Sequence, residues 1–167
     1  MFKQAWLLAL SLTINQSLSA ILPMPAIFPI QEIKTVEEKT KQDLIQLACE
    51  ARKNAYAPYS HYLVGSALLT NRGTVFQGCN VENASYGLGC CSERVAMFKA
   101  ISEGINNFVA IAVVTKDGGL PCGACRQVMN EFNPNLIVLI GDENGRLLKE
   151  TTLSQLLPDA FGPHNLD

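Results

Sequence analysis

Residues 120–127 read LPCGACRQ. Two cysteines, Cys122 and Cys125, stand three positions apart, with small residues between them and an arginine behind. The pair opens a segment of helical spacing, residues 123–132. That segment follows VAIAVVT at 109–115, a near-continuous β-branched run of the kind found in buried strands. A strand that feeds a helix is the unit of an α/β layered sheet. The pair itself permits three chemistries. It can be a redox dithiol, half of a closed structural zinc site, or half of an open catalytic one.

Composition narrows the choice. The chain has 167 residues, 48% of them hydrophobic, with a formal net charge of −2. That is enough for one domain with its own core. A slightly acidic chain lacks the basic patch that phosphate backbones need, which argues against a nucleic-acid partner. No run of about twenty apolar residues marks a membrane span. The six cysteines are Cys49, Cys79, Cys90, Cys91, Cys122 and Cys125. A domain this apolar does not need disulfide staples, and the clustered spacing points to a metal or to catalysis.

The first twenty residues carry Lys3, the short apolar run AWLLALSL and small residues near Ser19 and Ala20. That pattern fits a cleaved export signal, and it equally fits an apolar extension or an early start site. Residues 21–34 hold three prolines and read as an extended linker. The extension is therefore 1–34 and the domain 35–167.

Within the domain, Thr35 and Glu38 fit a capping box. Leu44, Leu47, Ala48, Ala51 and Ala55 then fall on one helix face. LVGSALLT (63–70) and TVFQGCNVE (74–82) read as two strands of a hairpin with its turn at 71–73. From residue 91 to 103 the period is helical, with Val95, Phe98 and Ile101 on one side. LIVLIG (136–141) reads as a buried strand, RLLKET (146–151) follows a turn, and a short helix over 153–157 closes the domain. The expectation is a mixed β-sheet layered between α-helices.

A catalytic zinc takes three protein ligands and keeps one position open. Cys91, in CCSERVA (90–96), can supply the third ligand from the start of another helix. At a helix N-terminus the macrodipole and free N–H groups favour thiolate over thiol. Glu93, two residues on, stands beside the metal without ligating it. A carboxylate there can take a proton from water and hand it to a leaving group. A Cys-x-Glu followed by P-C-x-x-C matches the known signature of the zinc deaminases. A closed site with Cys90 as fourth ligand would leave Glu93 unexplained, and a redox dithiol would leave Cys91 and Glu93 unexplained.

Five blocks carry a wider resemblance: NAYAPYSHYLVGSALLT (54–70), GCNVENASYG (78–87), CSERVAMFKAISEG (91–104), PCGACRQVMNEF (121–132) and LLPDAFGP (156–163). In order and spacing they resemble the small, all-cysteine zinc type of cytidine deaminase over roughly residues 40–165. The resemblance implies one Zn2+ per chain on Cys91, Cys122 and Cys125, with Glu93 shuttling protons. It implies hydrolytic deamination of cytidine and deoxycytidine, releasing ammonia, in pyrimidine salvage. It implies that Asn80 and Glu82 hold the ribose hydroxyls, that Tyr62 lies near the nucleoside, and that Phe161 covers the base from a neighbouring subunit of a homotetramer. Asn80 and Glu82 sit two apart on a predicted strand, so their side chains leave the same face. Ser92 stands where the family has alanine, and its size predicts little effect. Cys90 stands where an aliphatic residue is common. Cys91 is the ligand of choice because it alone keeps the Cys-x-Glu-Arg register.

Three thiolates on one Zn2+ leave a net negative centre, and like charge opposes ionisation of a bound water. Each zinc motif carries a nearby cation, Arg94 or Arg126, able to donate to a thiolate sulfur. The competing reading for either is a surface ion pair. Zinc thiolates suit a reducing compartment, which places the protein in the cytoplasm; the signal-like residues 1–20 keep export open. Cys49 and Cys79 read as small structural residues.

Overall fold

The structure is a computed structural model, and it describes residues 36–166. The signal-like segment, the proline-rich linker and Thr35 lie outside the described residues. The elements run α1 (Glu38–Arg52), β1 (Gly65–Thr70), β2 (Val75–Cys79), α2 (Ser92–Ser102), β3 (Phe108–Val114), α3 (Gly123–Phe132), β4 (Ile137–Gly141), β5 (Leu147–Thr152) and α4 (Leu153–Leu156). Single 3-10 turns occupy Tyr86–Leu88 and Pro163–Asn165.

One five-stranded sheet has the order β2-β1-β3-β4-β5. β3 and β4 are parallel, and the other neighbours are antiparallel. Because β1 runs against both β2 and β3, those two strands point the same way. Their C-terminal ends therefore share one edge of the sheet, and the chain leaving each of them leads to α2 and α3.

Side chains alternate between the faces. Ala67 and Leu69 of β1 meet Ala110, Ala112 and Val114 of β3 under α1, through Leu44, Ile45 and Ala48. Leu68 and Ile111 face the other way, against Ala96, Met97 and Ala100 of α2, Cys125 and Met129 of α3, and Leu153. A fully buried Leu or Ile contributes about 1.5–3 kcal/mol by leaving water, so these two clusters carry the fold. Two glycines set how closely the helices approach. A Cβ at Gly65 would meet the Ala48 carbonyl at 2.1 Å, and one at Gly78 would meet the Ser92 carbonyl at 2.3 Å.

The alternation of strand and helix, the hairpin and the closing helix match expectation. α1 differs at its start. Its N-cap is Glu37, with no side-chain cap bond, so the helix begins at Glu38 rather than at a Thr35 capping box. α2 differs in its buried face. Ser92, Glu93, Ala96, Met97 and Ala100 point inward, while Phe98 is 48% exposed. Val95 and Ile101 are half-buried, and Ile101 packs against the core, so Phe98 is the one of the three that faces water. The small side chains of Ser92, Ala96 and Ala100 let α2 lie close on the sheet. β2 ends at Cys79, so Asn80 and Glu82 lie beyond the strand. They flank Val81, whose backbone bridges Tyr56 and Cys90.

Candidate functional site

The shared sheet edge brings two helix N-termini together. Cys91 is the N-cap of α2 and Cys122 the N-cap of α3. Their carbonyls accept the first helical bonds, from Val95 N at 3.1 Å and Arg126 N at 3.0 Å. Cys125 sits one turn into α3 and is buried. The sulfurs of Cys91, Cys122 and Cys125 all lie within 4.8 Å of one another. Cys91 Sγ and Cys122 Sγ are 3.9 Å apart. Tetrahedral ligands at the Zn–S length of about 2.3 Å stand about 3.8 Å from each other, so the three sulfurs fit a zinc ion with one position left. Cys90 lies outside the cluster, and burial pushes its thiol above the ordinary range.

The thiols differ in acidity. A hydrogen bond from Cys125 draws the Cys91 thiol far down; burial opposes this, and Arg94 adds to it. Cys125, as the donor to Cys91 and itself buried, is pushed up. The arginines behind the two motifs part company. Arg94 Nη2 reaches Cys91 Sγ at 3.8 Å and the Gly89 carbonyl at 3.3 Å, and Arg94 Nε is buried without a partner among the described residues. Arg126 donates from Nε to the Pro121 carbonyl at 2.7 Å and from Nη1 to the Leu156 carbonyl at 2.8 Å. Its hydrogen bonds thus go to backbone rather than to sulfur. It splints the loop before Cys122 to the end of α4.

Glu93 is 3% exposed. Burial raises its carboxyl above the usual carboxylate range, its own backbone N–H opposes this, and the Cys91 charge adds to the rise. Ser92 Oγ donates to Glu93 Oε2 at 3.0 Å and lies 2.5 Å from Ser66 Oγ. A serine expected to matter little is therefore buried against the carboxyl beside the cysteines.

Asn80 and Glu82 both turn to the segment 59–64. Asn80 Oδ1 accepts from Val64 N at 2.9 Å, and Nδ2 donates to the Tyr62 carbonyl at 2.8 Å. The Glu82 carboxylate accepts from Tyr59 N at 2.9 Å, Ser60 N at 3.2 Å and the Ser60 hydroxyl. The Ser60 bond is the largest cause of its lowered pKa. Glu82 also lines a cavity of about 360 Å³ with Tyr59, Ser60, Asn83, Tyr86 and Gly89. Tyr62 crosses to the loop before Cys122, where its hydroxyl donates to Asp117 Oδ1 at 3.0 Å. Phe161 is 59% exposed, and its carbonyl accepts from Gln127 Nε2 at 2.9 Å and Asn130 Nδ2 at 3.3 Å on α3. The structure thus brings the cysteines, Glu93 and Arg94 together. It places Asn80, Glu82 and Tyr62 along a segment ending beside the zinc-motif loop, and it leaves Phe161 facing outward. Sequence reasoning passed over Ser60 and Ser66. Their only signal is a hydroxyl on or beside a strand that otherwise reads as structural.

Cys49 and Cys79 lie away from the cluster, each half-buried against a backbone carbonyl. Cys49 Sγ contacts the Asp142 carbonyl at 3.7 Å, and Cys79 Sγ the Asn54 carbonyl at 3.3 Å. No helix among the described residues is long and apolar enough to cross a membrane.

Residues 38–140 match the family described as the cytidine and deoxycytidylate deaminase zinc-binding region. A cytidine deaminase of Halalkalibacterium halodurans is 52% identical over 130 residues, covering 76% of this chain and 98% of that protein. One from Mycobacterium tuberculosis is 40% identical over 121 residues, covering 71% and 87%. The crystal structure of a cytidine deaminase from Burkholderia pseudomallei superposes with a TM-score of 0.68 at 52% identity, covering 71% of this chain and 97% of that one. On its sequence, its fold and its three-sulfur cluster, the chain belongs to the cytidine and deoxycytidylate deaminase family.

Proposed function

We propose that this chain hydrolyses cytidine and deoxycytidine to uridine and deoxyuridine, releasing ammonia, in pyrimidine salvage. The observation that carries the reading is a buried carboxyl, Glu93, two residues from a thiol cluster that fits three of zinc's four positions. A zinc held by Cys91, Cys122 and Cys125 supplies Lewis-acid activation of water at neutral pH. Glu93 does the proton work. It accepts a proton from the attacking water and delivers it to the ring nitrogen. It then takes the second proton from the hydroxyl formed on C4 and passes it to the amine, which leaves as ammonia as the C4 carbonyl forms. Burial, which raises the pKa of this carboxyl above the usual carboxylate range, favours its holding a proton between transfers.

Asn80 and Glu82 read the sugar diol, one as an amide that donates and accepts, the other as a carboxylate that accepts. Both already brace residues 59–64, so the segment carrying Tyr62 is set before a nucleoside arrives. The Tyr62 ring packs by the nucleoside. Phe161 covers the base from a neighbouring subunit of a homotetramer. Exposed Tyr56, Tyr86, Leu88 and Phe161 support such an assembly, since large apolar side chains left in water mark a contact surface. The thiol cluster favours the cytoplasm, where thiols stay reduced. The competing reading is a zinc-stapled binding module, for which a buried carboxyl beside the metal ligands would have no use.

The test is an ultraviolet assay of cytidine loss on purified protein of known zinc content. Turnover of cytidine and deoxycytidine to the uracil nucleosides supports the reading. A zinc-loaded, folded protein that leaves both intact sinks it.

A further inference from the structure

Three buried side chains run in line from the middle of the sheet to the carboxyl beside the cysteines. Ser66 Oγ stands 2.5 Å from Ser92 Oγ, and Ser92 Oγ stands 3.0 Å from Glu93 Oε2. Ser66 and Ser92 have no exposed surface and Glu93 has 3%. The chain has a direction. A carboxylate only accepts, and Ser92 has one hydroxyl proton, so that proton points to Glu93 and Ser66 donates to Ser92.

The fold builds this line deliberately close. Ser66 shares a β1 face with Leu68, the face that α2 covers. Its cross-strand partner on β2 is Gly78, the glycine whose missing side chain admits the first turn of α2. Ser92 is the first residue of that turn. The close approach seats a hydroxyl of the helix on a hydroxyl of the sheet, and the helix hydroxyl takes one oxygen of the glutamate next to it.

We propose that Ser92, backed by Ser66, is a positioning residue for deamination. It fixes Glu93 Oε2 so that the carboxyl keeps one orientation toward the reacting water and ring nitrogen. The proposal rests on the role given to Glu93 above. A glutamate side chain has three rotatable bonds, and proton transfer falls off when donor and acceptor leave hydrogen-bond reach. A hydroxyl anchored from behind by a second hydroxyl removes that freedom. Two serines that merely satisfied each other in the core would leave catalysis indifferent to either.

Ser92→Ala, Ser66→Ala and the double variant separate the two cases. Loss of a hydrogen bond to a charged group predicts a fall in kcat of about ten-fold for Ser92→Ala, with KM and zinc content unchanged. Ser66→Ala should lower kcat less, and in the Ser92→Ala background it should lower it no further, because it acts only through Ser92. Crystal density should show one Glu93 carboxyl orientation in the wild type and more than one in Ser92→Ala. If Ser92→Ala does not fold, Ser66→Ala carries the same kcat-against-KM reading. Wild-type kcat in the folded single variants, or a kcat loss that tracks zinc loss, overturns the proposal. A wild type inert toward cytidine fails the functional reading instead, and the Glu93 density still decides the orientation.

Discussion

Arg94 Nη2 lies 3.8 Å from Cys91 Sγ, while Arg126, at the matching place in the second motif, bonds the carbonyls of Pro121 and Leu156. Two arginines that look equivalent in sequence therefore do different work. A guanidinium on a ligand sulfur offsets the negative centre, and positive charge favours ionised neighbours. Removing it should raise the pKa that governs activity. We expect Arg94→Gln to move the acidic limb of the pH–rate profile to higher pH and to lose zinc faster to a chelator. Replacing Cys91 with His in the same protein removes one negative charge and should partly restore activity. Arg126→Gln should instead lower Tm and leave the profile in place. An unshifted profile and unchanged zinc retention in Arg94→Gln would end the charge-compensation account.

Glu93→Ala should keep about one zinc per chain, since three sulfurs complete the protein's share of the site. It should nonetheless lose at least about 10²–10⁴-fold in turnover, the usual worth of positioned proton transfer. Metal analysis beside the ultraviolet assay checks both halves. Near wild-type turnover, or a zinc-free protein, would contradict the role assigned to the carboxyl.

The chemistry was more legible than its support. Cys91, Glu93, Cys122 and Cys125 stand in a local register, and local register survives folding because a helix N-terminus fixes where each residue points. The strands were legible because both faces of β1 and β3 are buried, which produces continuous apolar runs. What the sequence hid depends on distant partners. Arg126 reads as a thiolate partner until the fold brings the Leu156 carbonyl to it. Ser92 reads as a filler until Gly78 lets α2 settle on Ser66. α2 misled for a related reason: Phe98 faces out, because the close approach of the helix to the sheet places the small Ser92, Ala96 and Ala100 inside.

The sugar-reading assignment predicts that free cytosine is a far poorer substrate than cytidine. Contacts remote from the reacting carbon hold it in place, so a truncated substrate loses rate as well as affinity. Glu82→Ala should raise KM and lower kcat for cytidine, and should cost cytidine more than cytosine. Comparable kcat/KM for cytosine and cytidine would remove Asn80 and Glu82 from the site. Efficient deamination of single-stranded oligonucleotides would point to a polynucleotide substrate instead.

Gly65→Ala tests the seat of α1. The new methyl would lie 2.1 Å from the Ala48 carbonyl and 2.4 Å from Arg52 N, both rigid backbone. The helix must move away, and overpacking of this kind costs about 1–3 kcal/mol or more. Denaturant unfolding should show a lower midpoint than Leu68→Val, a variant that only trims the opposite face of the same strand. A midpoint equal to wild type would mean that α1 can shift at no cost.

Acid should expose the turn between β4 and β5. Asp142 Oδ1 accepts from Asn144 N and Arg146 N, both at 3.0 Å, and Oδ2 accepts from Arg146 Nε at 2.6 Å. These bonds, led by the Arg146 side chain, hold the Asp142 carboxyl below its ordinary range. A depressed folded pKa contributes stability that is present above the unfolded value, about 3.9, and is lost as pH falls through the folded one. The turn is worth holding, since Gly145 at its tip accepts Gln42 Nε2 from α1 at 2.8 Å. Asp142→Asn keeps the shape and one acceptor but loses the charge. At pH 7 its Tm should fall below that of wild type, and the gap should close as pH drops below about 4. Protonation of the zinc thiolates weakens both proteins alike over that range, so the difference between their Tm values isolates Asp142. A gap that stays constant down to pH 3, or widens, would show that the charge on Asp142 does not hold the turn.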